Sequence, residues 1–131
     1  MTDILKLPGS PRPSGYSDGI AARGRFVFTA GVVGWGTNRT FETDDFVGQA
    51  RQAFANIVAI LAEGGAKPEH LVRLTWYVRD RREYLNRTAE VGAAYREVFG
   101  RHFPAMAVVE VSGLMDERAR LEIEATAVVP D

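Results

Sequence analysis

Near its C-terminus the chain reads Leu121-Glu122-Ile123-Glu124-Ala125. Strict alternation of apolar and acidic residues is a strand pattern, and it puts both carboxylates on the face opposite Leu121, Ile123 and Ala125. Such a carboxylate has two readings. In a partly dry cleft its pKa rises and it can move a proton to or from a reacting group. On an open strand it is a solvated or hydrogen-bonding group with no chemistry, and pattern alone favours this for both. Other chemistries find little footing. His70 and His102 have no second histidine or carboxylate at ligand spacing, so no metal site is expected. The chain lacks cysteine, which excludes disulfides and thiol chemistry. No serine stands in a Gly-x-Ser-x-Gly elbow, and no phosphate-binding glycine loop is present. Gly31-x-x-Gly34-x-Gly36 is glycine-rich, but it lacks the dinucleotide spacing and an immediately following helix.

Composition narrows the partners. Of 131 residues, 46% are apolar and 25% charged, the balance of a soluble globular protein, and the length fits a single domain over residues 1–131. Net charge is −1. The densest basic run, Arg79-Asp80-Arg81-Arg82, is interrupted by an aspartate and followed by Glu83, unlike the basic stripe that tracks phosphates. Nucleic acid is therefore not an expected partner. No stretch approaches the ~18 to 20 apolar residues of a membrane span, so no membrane association is expected. Residues 1–6 do not read as a secretory signal, and the expected compartment is the cytoplasm.

The elements that must position these groups follow from periodicity. Residues 8–15 are dense in proline and glycine, so residues 1–15 are expected to be an extended arm, with ordered structure beginning near Tyr16. Residues 19–22 and 26–33 flank Arg23-Gly24-Arg25 and read as a β-hairpin. Phe46, Ala50, Ala53, Phe54, Ile57, Ile60 and Leu61 recur at helical spacing after Asp44-Asp45 and before Gly64-Gly65. Residues 70–80 alternate, with Val72, Leu74, Trp76 and Val78 on one side and Arg73, Thr75, Tyr77 and Arg79 on the other. A second helix is expected over about 82–99, with Leu85, Thr88, Val91, Tyr95, Val98 and Phe99 inward. Strands are expected over 105–112 and about 120–129. The order β-β-α-β-α-β-β predicts an α+β two-layer sandwich, two helices on one mainly antiparallel sheet, with a partly apolar second face that suits an oligomer.

Five stretches in this order and spacing resemble the Rid/YjgF family. They are Tyr16 to Gly31, Gln49-Ala50-Arg51 with Asn56-Ile57, Tyr77-Val78-Arg79-Asp80, Phe103-Pro104-Ala105, and Glu122-Ile123-Glu124-Ala125. The likeness runs from about residue 14 to 129. It implies a chorismate-mutase-like fold and a homotrimer with small-molecule clefts between subunits. It also implies hydrolysis of enamines and imines to 2-keto acids and ammonia, without cofactor or metal. In the archetypal members an arginine after the Pro-Ala pair grips the substrate carboxylate, and a glutamate on the last strand positions or activates water. The resemblance makes Glu122 the catalytic candidate, and Tyr16, Ala30, Gly31, Val32, Gly92, Met106 and Val108 the substrate-binding positions.

The match is uneven at those positions. Met106 stands where the deaminases have arginine, Ala30 where serine or threonine is common, and Val32 where glutamine is frequent. Val108 replaces a cysteine that several members carry, and Gly92 an asparagine. A guanidinium gives a carboxylate two parallel, charge-assisted hydrogen bonds, and methionine offers only dispersion and a weak acceptor. Weak activity on the smallest 2-imino acids is therefore expected. Met106 and Val108 share a strand face. With Val32 and Trp35 they form either an apolar pocket wall or the filling of a subunit interface. Another arginine, such as Arg25, Arg39 or Arg73, is a candidate substitute. Tyr16 is either a lid or a staple onto a neighbouring subunit. Two functional readings follow, a deaminase with shifted specificity and a non-catalytic small-molecule binder. The family's older endoribonuclease label gains no support from the charge distribution.

Overall fold

The long helical period of the sequence folds as α1, Phe46–Glu63, in a computed structural model that describes residues 2–131. Asp45 caps it. Its carboxylate accepts from the Gly48 N–H at 2.9 Å and from Arg87 Nη1 at 2.5 Å. The Arg87 hydrogen bond, then the Gly48 one, holds the Asp45 carboxyl below its usual range. Phe46, Ala50, Ala53, Phe54, Ile57 and Leu61 are buried along one face, as their spacing requires, and Ile60 stays 43% exposed at its margin.

The strands are β1 Thr2–Leu5, β2 Gly19–Ala22, β3 Arg25–Phe28, β4 Leu71–Val78, β5 Ala105–Glu110 and β6 Leu121–Val129. The remaining helices are α2 Arg81–Leu85 and α3 Thr88–Phe99. The main sheet has the order β3-β6-β4-β5, and β1 pairs β2 separately. Only β4 and β5 run parallel among its neighbours, because α2 and α3 supply the crossover that a parallel pair needs. Helices α1 and α3 cover one face. Trp76 of β4 fills the space between sheet and helices, with the Phe54 ring edge-on at 5.5 Å and Tyr84 at 5.3 Å.

Five local expectations are corrected. The expected hairpin does not form. Among the described residues β2 pairs with β1, so the arm expected to precede ordered structure supplies a strand, and β3 pairs with β6. Strand β3 ends at Phe28, and only Val32 rejoins the ladder, opposite Ile123. The helix expected over 82–99 is broken at Arg87, whose φ of −134° and ψ of 32° are non-helical, and Leu85 before the break is 61% exposed. In β4 a bulge between Leu71 and Arg73 shifts the register, so Leu71 is buried along with Leu74, Trp76 and Val78, while Val72 is only half-buried.

Two polar side chains of α1 bind the segments around the sheet. Gln49 is 0% exposed. Its Nε2 donates to the carbonyls of Thr43 at 3.1 Å and Arg118 at 3.0 Å, and its Oε1 accepts from Arg120 N–H at 2.8 Å. Asn56 Nδ2 donates to the carbonyls of Val33 at 3.2 Å and Trp35 at 2.8 Å. Replacing Gln49 by leucine keeps the volume and strands three backbone groups. The expected loss is about 2 to 4 kcal/mol, and urea unfolding of Gln49→Leu beside the native chain measures it.

Candidate functional site

The segment after β3 is fixed from several sides. Thr29 N–H donates to Ala125 O at 2.9 Å, and its hydroxyl accepts from Ala125 N–H at 3.0 Å. Val32 and Ile123 exchange two backbone hydrogen bonds of 2.8 and 2.9 Å. Gly34 lies on α1 so closely that a Cβ there would stand 2.3 Å from Gln49 O. Between these anchors Gly31 runs beneath Glu122. A Cβ on residue 31 would stand 2.2 Å from Glu122 Oε2, so only bare backbone lets the carboxylate lie where it does.

The pair of glutamates on β6 is divided by its neighbours. Tyr77 of β4 stands opposite Glu122 in the register, yet its hydroxyl donates to Glu124 Oε1 at 2.6 Å. That hydrogen bond, then partial burial and the two negative charges, pushes the Tyr77 hydroxyl above its ordinary pKa, so it remains a donor. Glu124 is thereby occupied. Glu122, half-buried, has no side-chain hydrogen bond among the described residues. Its lone pairs are available to a water or a ligand.

A second group gathers on the other face of the sheet. In the β4–β5 register Met106 stands beside Leu74 and Val108 beside Trp76, so both point toward the helices. With Gly92 of α3 and Tyr16 they line a cavity of about 1110 Å³. Tyr16 is 39% exposed at its mouth. The arm is pinned there by Ser17, whose N–H donates to Pro104 O at 2.9 Å and whose hydroxyl donates to Phe103 O at 2.7 Å. His102 contacts Leu71 O through Nε2 at 2.7 Å and accepts the Tyr95 hydroxyl at its carbonyl, holding the turn before β5. Burial pushes the Tyr95 hydroxyl strongly upward, so it too stays protonated.

The positions singled out in the sequence thus fall into two sets. Glu122 and Gly31, with exposed Ala30 beside them, belong to one face; Tyr16, Gly92, Met106 and Val108 belong to the other. Val32 joins neither. It is 7% exposed in the core, and Trp35 packs with Val33 and Phe41 in a separate cluster, so neither extends the Met106–Val108 wall. Arg25 is bound to Gly64 O at 2.7 Å and Arg39 lies over the Trp35 ring at 5.4 Å; neither lines the cavity, and nor does Arg73. The cavity takes other residues that pattern alone did not single out, notably Trp76, Tyr84 and Arg96. The one available signal was spacing, since Arg96 lies a helical turn after Gly92.

Gly31→Ala tests the Glu122 placement directly. The carboxylate is the flexible end of a side chain, so the fold should persist within about 1 kcal/mol while Glu122 is displaced. The expected result is an unchanged unfolding midpoint with a shifted 13C carboxyl resonance of Glu122.

The geometry can be set beside known proteins. Residues 10–129 match the family described as Endoribonuclease L-PSP. A 2-iminobutanoate/2-iminopropanoate deaminase of Salmonella typhimurium is 36% identical over 132 residues, 98% of each chain. A RutC family protein of Pyrococcus horikoshii is 35% identical over 130 residues, 97% of this chain and 98% of its own. Among solved structures, a Rid family protein of Yersinia pestis superposes with a TM-score of 0.85 at 28% identity, covering 98% of both chains. The YjgF protein of Escherichia coli gives 0.68 at 32% identity over 96% of this chain and 98% of its own. The α+β fold, the matched span and these relatives agree, and the chain belongs to the Rid/YjgF family.

Proposed function

We propose that this protein is a Rid-type hydrolase that deaminates a reactive enamine, imine or related small metabolite, with specificity shifted away from the smallest 2-imino acids. The carrying observation is Glu122, held over the bare backbone of Gly31 with no side-chain partner among the described residues while Tyr77 occupies Glu124. Relatives named 2-iminobutanoate/2-iminopropanoate deaminase support the reaction class. The chemistry asks little of the protein. Water adds to the C=N carbon, the resulting carbinolamine expels ammonia, and a ketone carbonyl remains. Glu122 takes a proton from the attacking water and returns it to the leaving nitrogen, so no net proton, metal or cofactor is consumed.

The two residue sets lie on opposite faces of one sheet, so a complete site requires a second copy. A homotrimer of this Rid-type domain, working in the cytoplasm, meets that need by bringing the Glu122 face of one subunit toward the cavity of the next. Phe26 and Phe28, 56% and 65% exposed on β3, give the Glu122 face apolar surface to bury in such a contact. A solution mass dominated by the single chain would rule this assembly out. A second reading, a non-catalytic ligand-binding trimer, is favoured by Met106, which leaves β5 without a cation in the cavity.

Ammonia release from a freshly generated 2-imino acid separates the readings. The native chain is expected to exceed the spontaneous rate, weakly on 2-aminoacrylate and more strongly on larger imines, and Met106→Arg should raise the 2-aminoacrylate rate. Glu122→Gln should lower kcat by about 100-fold or more, with unchanged unfolding. No release by either the native chain or Met106→Arg would leave the binding reading in place.

A further inference from the structure

The cavity lacks a cation at position 106 but not elsewhere. Lys6, Arg12, Arg96 and Arg101 line it, against one carboxylate, Asp18. Lys6 donates to the carbonyls of Leu7 and Ser10, and Asp18 accepts from Leu7 N–H at 3.0 Å. The three guanidinium groups have no ion pair among the described residues. Arg12 belongs to the arm and Arg101 to the turn after α3. Arg96 alone is carried by a long helix.

Its placement depends on Gly92. Helical side chains lean toward the N-terminus, so residue 96 covers the surface above residue 92. Arg96 Nη1 lies 3.2 Å from where a Cβ of residue 92 would stand. Any side chain at 92 would crowd that guanidinium. Glycine there lets the planar fork lie against the helical wall that faces the cavity. The opposite wall is apolar, with Met106 and Val108 on β5, and Trp76 and Tyr84 close it between sheet and helices. Trp76 is 1% exposed, and its indole N–H has no acceptor among the described residues. A buried N–H is costly when unpaired, so an acceptor from a bound molecule is the natural partner.

We propose that Arg96, seated over Gly92, is the carboxylate-recognising residue of this cavity. Its ligand is a 2-imino or 2-oxo acid with a large apolar or aromatic side chain, packed along Met106, Val108 and Trp76. A carboxylate matches the guanidinium fork, which donates two parallel hydrogen bonds. A cavity of about 1110 Å³ is far larger than a three-carbon acid needs, and such an acid would leave the apolar wall unused. The 2-imino part of the assignment rests on the deaminase reading, whereas the anion site does not.

Calorimetric titration of the full chain with phenylpyruvate, pyruvate and neutral phenylacetone tests it. Phenylpyruvate should bind more tightly than pyruvate. Arg96→Gln should weaken phenylpyruvate about 10- to 100-fold and leave phenylacetone unchanged, with Arg96→Lys intermediate because it keeps the charge and loses the fork. Gly92→Asn should weaken phenylpyruvate as well, by displacing the guanidinium. Arg96 is solvated, so its variants should unfold at the native temperature. The proposal is overturned if phenylpyruvate does not bind, if pyruvate binds as tightly, or if Arg12→Gln or Arg101→Gln causes the loss in place of Arg96→Gln. Ammonia release from the imine of phenylalanine, measured alongside, separates the two ideas. Arg96-dependent binding without release would end the deaminase reading and leave the anion site standing.

Discussion

The side chain of Gln49 is fully enclosed and uses both of its ends, donating to two carbonyls and accepting from one amide. Those three backbone groups belong to the loop before α1 and the approach to β6, which are remote in sequence. A buried amide satisfied in this way fixes relative position far more tightly than apolar packing, because a displaced partner becomes an unpaired polar group. Two turns further along α1, the polar clamp continues with Asn56 on Val33 and Trp35, and the approach of Gly34 to Gln49 O completes it. Helix α1 therefore sets the height of the segment that passes under Glu122. A site on one face of the sheet is aligned by a helix packed on the other.

The sheet itself is the partition. On the helix side, aromatic rings and aliphatic strand residues make a dry core that opens into a cavity beside α3 and β5. On the far side the strands present hydroxyls and carboxylates next to two exposed phenylalanines. Polar groups that would be expensive in the core remain hydrated or hydrogen-bonded there. Tyr77 shows how this face discriminates between two like residues. By engaging Glu124 it gives adjacent carboxylates different surroundings, which strand alternation alone cannot do.

How much of this was legible beforehand depended on distance along the chain. Helix α1, the alternation of β4 beyond its bulge and the pairing of faces in β5 and β6 are local patterns, and the structure carries them. The β2–β3 hairpin did not, because a turn permits pairing without compelling it, and β6 offers β3 a longer and better-buried partner. The break between α2 and α3 was equally hidden. Arg87 leaves helical geometry and joins Asp45 and Glu90 in hydrogen bonds, a tertiary choice with no periodic signal. The opposition of Glu122 to Met106 follows only from register across β4. Gly92 and Arg96 were both visible, but their relation acquires meaning only beside a cavity.

Strand β6 is last in sequence and central in the sheet, flanked by β3 on one side and β4 on the other. Among the described residues strand β3 has no other partner in that sheet, so its pairing must wait until residues 121–129 are available. Contacts of such long sequence separation slow folding, and strands made early remain exposed as unpaired edges until the last one arrives. During synthesis the nascent chain would carry α1 and β4 without the strand that joins them to β3. The residue that completes the candidate chemistry, Glu122, travels on that same strand. The carboxylate therefore reaches the sheet only with the strand that joins β3 to β4, and a species without β6 in place holds no assembled site.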